Sequence, residues 1–329
     1  LPHHYSGGNN TRTGLFSLFY GLPATYWESF LDAQAGAVLV NAMQDAGYQL
    51  AIYASAKLTG PEFDRTIFAD VPQLRKETLA ETVMGRDELA NSEFIASLQQ
   101  RDGRPLFGFL FYDAPHSFAY SAQYQDHFKP SASGVNYFAL TRETDPTPLR
   151  NLYRNSLKSV DALVGEAFAA IREAGLWENS IVIVTADHGQ EFNDNGLGFW
   201  GHNGNFTDAQ IRVPLLIKWP GRRAPFARRL TTHYDIAPTL LGEVLGCENE
   251  VGDYSVGRSL FSADEVEGRG KGFVVGGFGD FGVRLEEQIV WVDKFGGIQV
   301  LSADNRLLQQ PPDPGALRQA LEQNSQFLR

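Results

Sequence analysis

Four uninterrupted apolar runs punctuate the chain: Gln49 to Ser55, Leu106 to Tyr112, Ile181 to Val184 and Val213 to Trp219. Runs of this length without alternation predict strands covered on both faces, as in a parallel sheet. Between them lie helical patterns. One covers about Ala33 to Ala46 and stops at Gly47; a more polar one covers about Asp87 to Gln100. The longest begins near Thr147, where Leu149, Leu152, Tyr153, Leu157, Val160, Val164, Ala167, Phe168 and Ile171 recur at three and four, and it stops at Gly175. Another covers about Asp235 to Leu245, with Pro238 in its first turn. Strand–helix alternation predicts an α/β fold with a mostly parallel, doubly wound sheet and helices on both faces. From Gly272 the texture changes. Phe273 to Val275, Ile289 to Val292 and Ile298 to Leu301 predict a β-meander, and Pro314 to Phe327 a closing helix. The expected organisation is a core over residues 1–265 with the meander and helix of 266–329 packed on it.

The third run opens the stretch IVIVTADHGQEFNDNGLGFWGHN, residues 181–203, around which the chain is organised. Asp187 and His188 would emerge at the strand's carboxyl end, where open α/β sheets place ligands. A carboxylate oxygen beside an imidazole nitrogen suits a divalent metal, while a strand-capping polar turn with one satisfied histidine is the plainer alternative. His202 follows a Gly- and Asn-rich loop that could fold back over the same place. The second run repeats the logic, delivering Asp113 to His116 at its end. Residues 117–146, rich in Tyr, Phe and Ser, are long enough for a lid or a substrate-facing insertion. Near the start, Ser6 to Asn10 is turn chemistry, and Thr11 or Thr13 could cap the helix that follows. A hydroxyl at a helix N-terminus sits where an anion is favoured, and there it could serve as a nucleophile.

With 329 residues and 43% apolar content the chain can bury one large α/β core, with or without a small appendage. A net charge of −11 argues against a nucleic-acid partner. Cys247 is the only cysteine, so neither an intrachain disulfide nor a cysteine metal cluster is possible. No apolar run approaches a membrane span of roughly 18 to 20 residues. The sequence begins at Leu1, with neither an initiator Met nor a signal peptide, and is expected to be cut from something longer. Against the acidic background GRRAPFARR stands out, with Arg222, Arg223, Arg228 and Arg229. It reads either as a solvated loop or as a contact for phosphate or a lipid headgroup.

The order of these motifs resembles the sulfatase-type branch of the alkaline phosphatase superfamily over nearly the whole chain. In TRTGLFSLFYG, Thr11 falls at the family's nucleophile position, ten residues before Gly21. The Cys or Ser and the Pro of true sulfatases are missing, so the likeness is to the threonine-using lipoteichoic-acid synthases and phosphoethanolamine transferases. TADHG, residues 185–189, is similar to the family's metal pair; Ala114 to His116 and Gly201 to Gly204 are similar to its substrate-side histidine and its phosphate-contacting histidine. RVPLLIKWPG and HYDIAPTLL resemble segments that complete its sheet. More narrowly, YSGGNNTRTGLFSLFYGLP, THYDIAPTLL and the LGC before YSVG resemble the periplasmic domain of the PbgA/YejM-type inner-membrane proteins.

The resemblance implies one divalent metal, Mg, Mn or Zn, held by Asp187, His188 and Thr11, with Thr11 as nucleophile and His116 and His202 assisting. It implies a domain on the periplasmic face of a Gram-negative inner membrane, anchored by an N-terminal segment absent from the chain. There it would regulate lipopolysaccharide and outer-membrane lipid homeostasis through a retained metal-dependent phosphatase site. The alternative is a phosphoethanolamine- or phosphoglycerol-type phosphotransferase acting on membrane lipids. The partners implied are lipopolysaccharide or anionic phospholipid and regulatory membrane proteins. The family takes a further carboxylate ligand from its first strand. No Asp or Glu precedes Thr11, so that strand is expected upstream of Leu1.

Overall fold

A computed structural model describes residues 1, 3–222, 230–262 and 272–328. The chain forms two compact units, one of Leu1–Ala42 with Val182–Arg329 and the other of Met43–Ile181. In chain order the elements are β1 (His4–Tyr5), α1 (Thr11–Tyr20), α2 (Trp27–Ala33), α3 (Val38–Asp45), β2 (Gln49–Ala54), α4 (Val83–Gln99), β3 (Leu106–Phe111) and α5 (Thr147–Glu173). They continue with β4 (Val182–Thr185), β5 (Glu191–Phe192), β6 (Trp200–Gly201), α6 (Asp208–Ile211), β7 (Leu215–Lys218), β8 (Thr231–Thr232) and α7 (Ile236–Leu245). The last are β9 (Gly272–Gly276), β10 (Phe281–Leu285), β11 (Gln288–Val292), β12 (Ile298–Ser302) and α8 (Pro314–Ser325).

In the second unit, β2 and β3 pair in parallel from Gln49–Leu106 to Ala54–Phe111. Helices α4 and α5 cover them through Phe94, Leu98, Ala167 and Ala170, against Tyr53, Leu106 and Leu110. The expected apolar stripe of α5 is only partly apolar. Leu157 is exposed, while Asn151, Asn155, Ser156 and Ser159 are buried. The reason is the loop expected to be a lid, which α5 holds with side chains. Asn155 accepts from the Phe128 N–H at 2.8 Å and donates to the Gln125 carbonyl at 3.0 Å, and Asn151 donates to the Pro130 carbonyl at 3.0 Å. Buried polar groups require such partners. The turn after β3 is held the same way: buried Asp87 accepts the N–H groups of Asp113 and Ala114 at 2.9 and 3.0 Å. Burial raises the Asp87 carboxyl to about 6.

In the first unit β4 runs antiparallel to β7, from Val182–Lys218 to Thr185–Leu215. The segment leading into β7 bonds to β1, with the Val213 N–H on the His4 carbonyl at 3.0 Å and the Ser6 N–H on the Ile211 carbonyl at 2.8 Å. β1 pairs in parallel with β8. The layer therefore reads β4–β7–β1–β8. The residues of β4 are partly rather than fully covered, because among the described residues its ladder partner is β7 alone. The meander expected from Gly272 has four antiparallel strands in the order β12–β11–β10–β9; β10 was not apparent in the sequence because glycine and arginine interrupt it. Side chains alternate across it. Phe273, Val275, Ile289 and Leu301 pack with Tyr5, Phe206 and Ile211, while Val274, Val283 and Val290 pack under Ala316 and Ala320 of α8. The sheet is tied to the turn before α1, where the Gly276 N–H donates to the Gly7 carbonyl at 2.8 Å and the Asn9 N–H to the Gly276 carbonyl at 3.1 Å.

Candidate active site

Three short segments of the first unit converge: the start of α1, the turn after β4, and the turn after β6. Asn10, not a threonine, caps α1. Its backbone is extended and its Oδ1 accepts the Thr13 N–H at 3.1 Å. Thr11 thereby becomes the first helical residue, with its hydroxyl at the positive end of the helix. Thr13 is buried, and its hydroxyl is committed to the carbonyls of Gly276 at 3.1 Å and Asn10 at 3.3 Å. Thr11 Oγ1 instead lies 3.4 Å from His188 Nε2. Of the two threonines, only Thr11 has its hydroxyl beside the Asp–His pair.

α1 can approach that turn because residue 14 is glycine. A Cβ there would stand 2.0 Å from the Asp187 carbonyl oxygen. The same carbonyl accepts the Ser6 hydroxyl at 2.5 Å. Gly189 is equally constrained, since its Cβ would lie 2.3 Å from the Ala209 carbonyl oxygen. Asp187 Oδ1 accepts the His188 N–H at 3.0 Å, and Oδ2 is 3.5 Å from His188 Nε2. His188 Nδ1 is 2.8 Å from the Gly189 carbonyl, to which it must donate. In the neutral ring this leaves the Nε2 lone pair facing Thr11 and Asp187, the orientation a metal-ligating imidazole commonly has. The His202 ring lies 4.3 Å from that of His188, and its Nδ1 is 3.1 Å from Gln190 Oε1.

The three donors fit part of the shell of a divalent ion. Ligands ~2.1 Å from a tetrahedral ion stand about 3.4 Å apart, close to the 3.4 and 3.5 Å separations of Nε2 from the Thr11 and Asp187 oxygens. Among the described residues no group of three or more His, Cys, Asp or Glu side chains could hold a metal, so this set alone does not complete a shell.

Two buried histidines stand behind the site. His233 Nδ1 is 3.1 Å from the Gly14 carbonyl, and its ring lies 5.3 Å from that of His4. Burial holds His233 down to about 4 and His4 well below its ordinary value. They were not apparent in the sequence, because His4 lies on a two-residue strand and His233 in the short turn after β8, neither of which has a periodic signal.

The other candidates are placed differently. His116 is exposed in the second unit, at the end of β3. Arg222 pairs with Glu243 and lies 3.8 Å over the Phe261 ring. Arg223, Arg228 and Arg229 lie outside the described residues. A parallel β7 would have put this run at the same end of the sheet as Asp187. Because β7 is antiparallel to β4, Arg222 follows the end that faces Val182, away from Asp187.

The sulfatase family profile matches residues 1–246. The chain belongs to the sulfatase family. Members of this superfamily are generally metal-dependent. Among curated relatives, this sulfatase-family chain is 26% identical over 265 residues to the inner membrane protein YejM of Salmonella typhi, and equally to that of Salmonella typhimurium. The match covers 80% of this chain and 39% of each relative, so the chain spans about two fifths of their length. Among solved structures, the phosphonate monoester hydrolase of Agrobacterium radiobacter superposes with a TM-score of 0.71 at 17% identity, covering 96% of this chain and 85% of that one. The alkaline phosphatase/sulfatase fold expected from the motif order is thus the fold observed. The YejM relatives are inner membrane proteins; among the described residues no helix is long and apolar enough to cross a membrane.

Proposed function

We propose that this sulfatase-family domain transfers or hydrolyses a phosphate ester, with Thr11 as nucleophile. The observation that carries the reading is the Thr11 hydroxyl, at the first position of α1 and 3.4 Å from a His188 nitrogen whose tautomer is fixed by the Gly189 carbonyl. The helix end favours a phosphate dianion at that point. Attack forms the Thr11 Oγ–P bond as the bond from phosphorus to the ester oxygen breaks, and the Thr11 hydroxyl proton passes to solvent water. His202, with its Nδ1–H on Gln190 Oε1, would act as an imidazolium whose Nε2–H supplies the proton of the departing oxygen. Water then releases phosphate from phosphothreonine, or an alcohol acceptor takes it. A divalent ion bound by Asp187, His188 and Thr11 would acidify the hydroxyl and polarise the phosphoryl group. His116 is proposed as an assisting histidine on the motif likeness alone.

The test is turnover of a phosphate monoester by the full-length protein, with trapping of phosphothreonine. Thr11→Ala should abolish both, and Thr13→Ser should retain both. Turnover that survives Thr11→Ala would overturn the assignment.

The YejM likeness favours a setting for this chemistry. We place the domain on the periplasmic face of the inner membrane, attached through a membrane anchor, working with lipopolysaccharide or anionic phospholipid and with regulatory membrane proteins. Arg222, Arg223, Arg228 and Arg229 are the proposed lipid contacts, each basic residue near an anionic surface contributing about 1 kcal/mol. Changing Arg222 and Arg223 to Glu should weaken binding to anionic vesicles in a salt-dependent way. Binding indifferent to both the change and the salt would remove the loop from this role.

A further inference from the structure

Glu191 lies three residues beyond His188 and is fully buried. No step above uses it. Two amide groups converge on one of its oxygens: Asn205 Nδ2 and Gln210 Nε2 each donate to Oε2 at 2.7 Å. Its other oxygen, Oε1, has no partner among the described residues. A carboxylate in that state carries a desolvation cost, and burial raises its pKa. Such groups persist where they hold something in place.

What Glu191 holds can be followed bond by bond. Because Gln210 must aim its amide nitrogen at Glu191, its Oε1 faces the other way, accepting the N–H groups of Gly204 and Asn205 at 2.9 and 3.3 Å. These residues immediately follow His202. The Gln210 carbonyl accepts the Gly189 N–H at 2.8 Å, which fixes the turn that carries His188. Asn205, oriented by the same carboxylate, accepts at Oδ1 from the Thr207 N–H at 2.9 Å and the Thr207 hydroxyl at 2.7 Å. Its carbonyl accepts Asn9 Nδ2 at 3.0 Å. Asn9 Oδ1 accepts Asn10 Nδ2 at 3.1 Å, and Asn10 caps the helix that begins with Thr11. The Glu191 backbone pairs with Gly201, next to His202.

We propose that Glu191 is a positioning residue for the site, acting through Gln210 and Asn205 to fix the His188 turn, the His202 turn and the cap of the Thr11 helix relative to one another. This rests on the phosphate-ester reading given above. Glu191 acts as an acceptor of two N–H bonds, so a glutamine that turns its oxygen to the two amides can replace it, whereas alanine cannot. A misplacement of about 1 Å at reacting groups costs on the order of 10²-fold in rate.

The experiment compares Glu191→Gln, Glu191→Ala and Asn205→Ala in the full-length protein. kcat and KM are measured on a phosphate monoester, and hydrogen–deuterium exchange is followed by mass spectrometry. Glu191→Ala should lower kcat by roughly 10- to 100-fold with KM changed less than threefold. Exchange should rise in residues 8–14 and 187–207 and stay unchanged in 83–99. Glu191→Gln should restore kcat to within threefold of the parent. Three results would overturn the proposal: a folded Glu191→Ala with parental kcat; Glu191→Gln as impaired as Glu191→Ala; or exchange rising equally in residues 83–99 of α4. If Glu191→Ala does not fold, Asn205→Ala decides by the same criteria. If the parent turns over no phosphate ester, the functional reading has failed, and the exchange pattern alone judges the positioning role.

Discussion

Gly14→Ala tests the packing on which the candidate site depends. The new Cβ would stand 2.0 Å from the Asp187 carbonyl oxygen and 2.8 Å from the carbonyl carbon. Real Cβ contacts essentially never fall below 3.0 Å, so the helix and the turn must separate by at least 1.0 Å (3.0 − 2.0). The obstacle is backbone, so no side-chain rotation relieves it. Two effects oppose each other. Alanine in a helix interior gains about 0.8–1 kcal/mol over glycine, while overpacking costs about 1–3 kcal/mol. The balance is destabilising by roughly 0–2 kcal/mol, a fall of up to about 8 °C in Tm for a unit of this size. The functional effect should be larger than the structural one. A 1.0 Å separation would stretch the 3.4 Å approach of Thr11 to His188 beyond hydrogen-bond reach, and a misplacement of that size costs on the order of 10²-fold in kcat. Differential scanning fluorimetry and phosphate-ester kinetics read the two quantities. An unchanged Tm with kcat within twofold of the parent would mean that α1 is not seated against the Asp187 turn.

Asp187→Asn should lower divalent-metal affinity at least tenfold by isothermal titration, since it removes the only charged donor of the cluster; unchanged binding would exclude this pair as ligands. Asn10→Ala removes the α1 cap and should cost about 1 kcal/mol in urea unfolding, with a smaller loss expected only if Thr11 takes over the cap. Acid should weaken the fold through the buried histidines. In the unfolded chain a histidine takes up its proton near 6.5, but in the folded protein His233 does so only at about 4. Between those values the unfolded state binds more protons, so the contribution is intact above about 6.5 and declines as the pH falls towards 4. The urea midpoint should therefore drop between pH 7.5 and 5, and His233→Asn should flatten that dependence; an equal drop in the variant would assign it to other groups.

The apolar runs showed most of the strands and long helices because those elements bury a continuous surface. β2 and β3 match their runs closely, and α5 begins at Thr147 as expected. The Asp187–His188 turn was visible for the same reason: a strand led into it. Two kinds of feature were not legible. One is strand direction, since four apolar residues read alike forwards and backwards; β7 proved antiparallel to β4. The other is polar burial. Asn151 and Asn155 on α5, and Glu191, Asn205 and Gln210 near the site, look like surface residues in sequence. They are buried because each meets a specific distant donor or acceptor. Thr11 and Thr13 were equivalent as helix-start hydroxyls until Gly276, far along the chain, was seen to occupy Thr13.

The antiparallel course of β7 separates two proposed sites that the sequence tended to merge. Val182 lies beside Lys218, and Asp187 is five residues further along from Val182. At about 3.3 Å per residue that is roughly 17 Å of extended chain. A headgroup proposed to sit on Arg222 would then have its phosphate apart from Thr11. On the proposed reading, a lipid captured there would act as a tether or as a signal, and the molecule undergoing chemistry would be a second one. Loss of the arginine and loss of the nucleophile should then be genetically separable, each protein supplying in trans what the other lacks.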